Sequence, residues 1–194
     1  FRPKRRTRAT IAKEKGLAPL AEIILAQNPS DNIESISLDF IDAEKDVESS
    51  EDAIAGAMDI IAEEISDNPE YRKDIRQKTI DFGLLSTEDD SVYRLYYDFA
   101  EPIKKLANHR LLAINRGEKE GFLSVKIDID EEKITNYLFR RLTPKHESPS
   151  TKYVKLAAED SYKRLIAPSI STEIRNMLTE NAEEASTKVF NQNL

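Results

Sequence analysis

The sequence predicts a mainly α-helical, multi-helical scaffold with one short β-strand or hairpin near residues 122–130. Three observations carry that prediction. Apolar residues three and four apart, preceded by capping residues, recur along most of the 194 residues. Only one stretch alternates with the period of a strand. Five glycines and no tryptophan argue against a sandwich or a glycine-punctuated barrel. With 39 % hydrophobic and 34 % charged residues, the chain is polar for a globular protein but still able to build a core. The lack of cysteine excludes a disulfide framework, a thiolate zinc site and a cysteine nucleophile, and fits a reducing compartment. No apolar run approaches the roughly 18 residues that span a bilayer, and no signal-peptide pattern is present, so a cytoplasmic protein without a membrane partner is expected.

Residues 1–8 are extended until Thr7 caps a helix that Gly16 ends at Lys15. A second helix runs from Leu17 to Ala26 with Leu20, Ile23 and Ile24 on one face, closed by Pro29. Asp31 to Phe40 is weakly helical. Ser49 or Ser50 caps the next helix, Glu51 and Asp52 suit its positive end, and Ile54, Ala57, Met58, Ile61 and Ile65 form its stripe. Pro69 restarts a helix up to Gly83, and the two most simply form an antiparallel hairpin. Leu84 to Asp90 reads as a polar connection. Tyr93, Tyr96, Tyr97 and Phe99 are expected to form a buried helical face rather than a base-stacking platform. Pro102 begins a helix carrying Ile103 and Leu106, and Gly117 and Gly121 bracket a charged turn. Phe122 to Asp130 alternates and is the one good strand signature; such a strand implies a small sheet. Asp130 caps a helix through Ile134, Leu138 and Leu142, Pro144 to Pro149 is a loop, and Thr151 to Ile166 and Pro168 to Asn193 are two long helices. The last carries Ile170, Ile174, Met177, Leu178, Ala182, Ala185 and Val189 on one side.

The net charge of −7 is unevenly spread. From Phe1 to Lys15 there are seven bases and one acid, whereas Asp31 to Glu70 holds fourteen acids and the single base Lys45. Residues 1–29 therefore read as a basic arm with a short helix pair, and residues 30–194 as a helical scaffold region. The opening at Phe1 and the close at Leu194 inside a running helix are those of a fragment of a larger multidomain protein. Basic arms of this kind bind phosphate backbones. The other reading has the arm lie against the acidic stretch or against other parts of the parent protein.

No constellation points to catalysis. His109 and His146 are too few and too far apart for a compact zinc site. Asp128 to Glu132 starts like a calcium loop but has Lys133 where glycine is required. Gly117 to Gly121 lacks the Gly-Lys-Ser/Thr ending of a phosphate-binding loop. No enzyme activity, cofactor or metal is expected. Nucleic-acid contacts, if made, fall to Arg2, Lys4, Arg5, Arg6, Arg8 and Lys13, with Arg110, Arg116 and Lys119 as a second patch. The helix pair around Gly16 has the outline of a helix-turn-helix, but its second helix has no basic side chain to reach base edges, so binding is through backbone charge.

Three strings narrow this further: Phe1-Arg-Pro-Lys-Arg-Arg-Thr-Arg-Ala-Thr-Ile-Ala-Lys-Glu-Lys-Gly-Leu-Ala-Pro-Leu-Ala21; Asp98-Phe-Ala-Glu-Pro-Ile-Lys-Lys-Leu with His109-Arg-Leu-Leu-Ala-Ile-Asn-Arg-Gly-Glu-Lys-Glu-Gly121; and Pro168-Ser-Ile with Glu173-Ile-Arg-Asn and the Ala182 to Phe190 tail. With them the chain resembles the N-terminal helical region of the bacterial Tex family of transcription accessory proteins. The resemblance implies a parent in which this region precedes an RNase H-like domain, a helix-hairpin-helix region and an OB-fold RNA-binding domain. It further implies transcription-related binding of RNA or single strands without sequence preference. The partners it implies are nucleic acid through the parent, the parent's other domains and the transcription machinery. The alternative is a scaffold that does not itself bind nucleic acid but organises the RNase H-like and OB-fold domains, with Asp31 to Glu70 as a docking stretch.

Overall fold

A computed structural model describes residues 5–88 and 99–193. They fall into two compact units, each made from two stretches of chain: one up to Tyr71 together with Ile134–Ile166, the other Arg72–Lys133 together with the chain from Ala167. Among the described residues the protein is mainly helical with one small antiparallel sheet. No described helix is long and apolar enough to cross a membrane.

The first unit is built around α4, Ser50–Asp67. Ser49 caps it by accepting the Asp52 N–H at 3.1 Å, and Glu51 and Asp52 sit in the first turn, where the helix dipole favours acid. Packed on α4 are α1 (Arg8–Glu14), α2 (Ala18–Ala26), α3 (Ile33–Ser37) and α8 (Thr151–Asp160). With neighbours on several sides, α4 buries Ala53, Ile60 and Ala62 besides the expected Ile54, Ala57, Ile61 and Ile65, whereas Met58 is only half-buried. These neighbours, rather than an antiparallel partner next in sequence, are what bury α4. The weakly helical Asp31 to Phe40 becomes α3, capped by Asn32, followed by a 3₁₀ turn at Leu38–Phe40.

Helix α1 approaches α4 at Gly56. A Cβ there would lie inside contact distance of Leu17 Cδ1 and 3.4 Å from the Ala12 Cβ. Small residues at the contact, Ala12 on α1 and Gly56 on α4, permit this approach. Gly16 holds φ +77°, the left-handed conformation that glycine adopts without steric cost, and so turns the chain between α1 and α2.

α5 (Pro69–Phe82) starts under Asn68, whose side chain accepts the N–H groups of Glu70 and Tyr71. In the second unit, the segment expected as a polar connection is strand β1, Leu84–Glu88, with Leu85 and Thr87 buried. It is the middle strand: β2 (Ala100–Pro102) and β3 (Ser124–Asp128) flank it antiparallel, Leu85 facing Glu101 on one side and Ile127 on the other. β3 lies inside the predicted 122–130 stretch, and among the described residues its outer edge carries no further strand. Pro102 does not start a helix; it ends edge strand β2, where a missing N–H is tolerated. A 3₁₀ turn at Ile103–Lys105 follows, then α6, Asn108–Lys119, which runs through the buried Gly117 and stops before Gly121 at φ +83°. Tyr93, Tyr96 and Tyr97 lie outside the described residues; Phe99 leads into β2, its carbonyl accepting the Thr87 N–H at 2.9 Å.

α7, Glu131–Leu142, is capped as expected by Asp130, which accepts the Glu132 N–H at 3.1 Å. The two long C-terminal helices are one uninterrupted run. α8 passes into a π-helical stretch, Ser161–Ile166, and then into α9, Ala167–Gln192. Pro168 has no N–H and its ring crowds the carbonyl one turn back, which normally breaks a helix. Here the wider i→i+5 winding immediately before it lets the helix continue. Along α9, Ile170, Ile174 and Ala182 are buried, but Val189, placed on the same stripe by sequence, is exposed. Within this unit α9 packs on α6, and Arg175 joins them by donating to Asn115 Oδ1 and Glu118 Oε1, both at 2.8 Å.

Candidate nucleic-acid interface

Of the predicted arm cations, Arg2 and Lys4 lie outside the described residues. The others belong to α1 and its entry. Thr7 accepts the Thr10 N–H at 3.1 Å, the cap its position predicts, and its hydroxyl donates to Glu63 Oε2 of α4 at 2.9 Å. Arg6 pairs with Glu14 at the surface. Arg8 and Asp59 line the same groove between α1 and α4, about 310 Å³, with Lys15, Asp46 and Asp52. A smaller cavity of about 130 Å³, lined by Thr7, Arg8, Asp59, Glu63, Asp67 and Arg164, adjoins it. Burial pushes the Asp59 carboxyl above the usual carboxylate range, and the Arg164 and Arg8 guanidinium groups only partly offset this. Arg164 is anchored by Asp160 at 2.8 Å, which raises its pKa, with Asp59 at 3.9 Å. Arg5 and Lys13 are exposed and, among the described residues, pair with nothing.

The outline of a helix-turn-helix is present as two short helices about Gly16, but both are seated on α4. α2 buries Leu20, Ala21 and Ile24 and carries no cation. This arrangement can hold phosphates along the α1 side and cannot read base edges from α2.

The second predicted set belongs to the other unit, on α6. Arg110 is committed locally: it donates to Glu101 of β2 at 2.7 Å and its guanidinium lies 5.3 Å from the Phe99 ring centroid. Arg116 and Lys119, one turn apart at the C-terminal end of α6, are exposed and without a partner among the described residues. The structure thus groups Arg116 with Lys119 and sets Arg110 apart from them.

Within the acidic stretch, the members that face the arm are Asp59 and Glu63, which no local pattern marks. They are one helical turn apart, on the α4 face that meets α1. Arg164 joins them, and its one signal in the sequence is Asp160 four residues earlier.

The described residues form a multi-helical frame with a small sheet and a cationic N-terminal segment, and comparison with known proteins gives the chain a family. Residues 28–190 match the model of the Tex central region-like family, and the chain belongs to that family. It is 42 % identical over 202 residues to the uncharacterized protein YdcI of Bacillus subtilis (strain 168), covering 100 % of this chain and 28 % of that protein. It is 29 % identical over 209 residues to the transcriptional accessory protein Tex of Neisseria gonorrhoeae, covering 100 % of this chain and 27 % of that one. Over 116 residues, 57 % of this chain and 12 % of the relative, it is 32 % identical to S1 RNA-binding domain-containing protein 1 of Pongo abelii. The chain spans little more than a quarter of the length of the two bacterial relatives. The family model starts at residue 28, after the arm.

Proposed function

We propose that this chain is the helical part of a cytoplasmic transcription accessory protein and contacts RNA through phosphate charge, without sequence preference and without catalysis. The observation that carries the reading is the state of the arm: Arg5 and Lys13 are exposed and unpaired among the described residues, and Arg6 is held only by a surface ion pair. Such pairs contribute roughly 0–1 kcal/mol, so a phosphate can replace the carboxylate. Arg2 and Lys4 precede these residues, Arg8 adds to them, and Arg116 and Lys119 form a subsidiary patch. The relatives' names, one a transcriptional accessory protein and one carrying an RNA-binding domain, support the same reading.

A second reading is favoured by the bonds from Thr7 to Glu63 and from Arg6 to Glu14 and by the Arg8–Asp59 groove. In it the arm's charge serves packing against α4, and the chain is a scaffold for other domains of a longer protein or for the transcription machinery.

Fluorescence-anisotropy titration with single-stranded RNA and with duplex DNA at two salt concentrations separates the two. In the first reading the intact chain binds RNA, the affinity falls with salt by roughly 0.7 log units per log unit of salt for each phosphate contacted, and Arg5, Arg6 and Arg8→Ala together remove most of it. Absence of binding by the intact chain leaves the scaffold reading.

A further inference from the structure

We propose that the turn between α7 and α8 is a second contact for single-stranded RNA, with Arg140 and Lys145 taking phosphates and Phe139 and Tyr153 offering ring faces to bases. The proposal shares the class of ligand with the arm reading but uses none of its residues.

The charge pattern here is the reverse of the neighbouring acidic stretch. Between Arg140 and Lys155 there are five cations and one carboxylate, Glu147, in a unit whose residues 31–70 hold fourteen acids. Arg140 and Lys145 are exposed and, among the described residues, make no ion pair or hydrogen bond; nothing in the packing of the unit uses them. His146 stands exposed beside them.

The other three cations each lie over an aromatic ring. The Lys155 Nζ is 5.6 Å from the Phe139 centroid, the Lys152 Nζ 4.9 Å from that of Tyr153, and the Arg141 Cζ 5.4 Å from that of Tyr71. Each is also held by one surface carboxylate: Glu147 for Lys155, Glu34 at 3.2 Å for Lys152 and Glu70 at 2.9 Å for Arg141. Cations beside half-buried rings suit sequence-tolerant single-strand binding: a phosphate that draws Lys152 or Lys155 off its ring leaves the ring face to an unstacked base. A duplex keeps its bases stacked and offers such rings nothing.

The backbone that displays these groups is fixed. Gln27, left-handed at φ 51° and 9 % exposed, donates through Nε2 to the Leu142 carbonyl at 2.8 Å and accepts from Thr151 Oγ1 at 2.9 Å. It thereby ties the end of α7 to the start of α8. Thr143 Oγ1 donates to the Phe139 carbonyl at 2.6 Å, and the Ser148 N–H donates to Thr151 Oγ1 at 3.0 Å. The cations therefore stand on a braced turn, so binding does not have to order the backbone that carries them.

The test uses the whole chain and a fluorescent twelve-uridine RNA. Ultraviolet cross-linking of the unaltered protein is expected to label peptides containing Phe139 or Tyr153. Arg140→Ala with Lys145→Ala is expected to lower the log–log salt slope by about 1.4, which is about 25-fold in affinity at 0.1 M salt, with an unchanged melting temperature. Cross-links confined to other peptides, or an unaltered slope in this variant, overturn the proposal. If Arg5, Arg6 and Arg8→Ala abolish binding while the turn variant binds normally, the turn is not a contact and the arm reading stands. If the turn variant loses binding and the arm variant keeps it, the turn is the contact and the arm reading falls. No binding by the intact chain overturns both.

Discussion

The first unit has two cationic surfaces that are similar in sequence and different in state. At the arm, the groups around Thr7 and Arg8 are set against α4 carboxylates, and α1 is drawn onto α4 through small residues at Gly56. At the α7–α8 turn, the backbone is pinned by the Gln27 amide, while two of the five cations face solvent with no partner among the described residues. The arm is the more basic stretch, yet each keeps two such cations, Arg5 and Lys13 at the arm and Arg140 and Lys145 at the turn. A count of charge along a chain therefore does not give the field at the surface; the carboxylates that fold back onto each stretch do.

The largest effect expected from disturbing this contrast is on the seat of the arm. Gly56→Val places branched carbon where Leu17 and Ala12 already are, and overpacking of this kind costs about 3 kcal/mol, read as a lower urea midpoint with an unchanged slope. Gln27→Leu comes next. It keeps the bulk but leaves the Leu142 carbonyl and the Thr151 hydroxyl without the amide, at a cost of about 2 kcal/mol in the same measurement. Smaller and of opposite signs are two carboxylates at the two surfaces. Glu34 is held at about 2, first by the Tyr153 hydroxyl, then by a backbone bond and by Lys152. Its folded pKa lies below the unfolded one, so its contribution is complete above about pH 4.5 and is lost as the pH falls towards 2. Tyr153→Phe is expected to flatten that acid limb by less than about 1 kcal/mol, since the pair is exposed. Asp59 is raised by burial, so its contribution is greater when protonated and declines as the pH rises through its folded pKa. Asp59→Asn is accordingly expected to keep or raise the melting temperature at neutral pH, whereas Glu34→Gln lowers it.

Most of the helical frame could be read from caps and spacing. Thr7, Ser49, Asn68 and Asp130 act where the local chain needs a side-chain acceptor, and that need depends only on neighbouring residues. β1 escaped because its buried positions are Leu85 and Thr87; a threonine on the inner face hides the alternation, and the partners that make it a strand come from residues 100–102 and 124–128. The joint at Pro168 escaped because the break that proline normally causes is absorbed by π winding ahead of it. For the candidate site, the arm cations were visible as a cluster. Their partners Asp59 and Glu63 lie some fifty residues on, and nothing local marks them among fourteen acids. The α7–α8 cations are divided between two helices and a loop, so only the fold shows them as one surface.

Among the described residues no strand pairs with the outer edge of β3, and that bears on self-association. An unpaired strand edge is a template on which a second copy can add. If two copies of Ser124–Asp128 met antiparallel about their centres, Lys126 would face Lys126, and like charges placed directly opposite destabilise a ladder. The central lysine of the strand thus discourages edge-to-edge aggregation of the protein with itself.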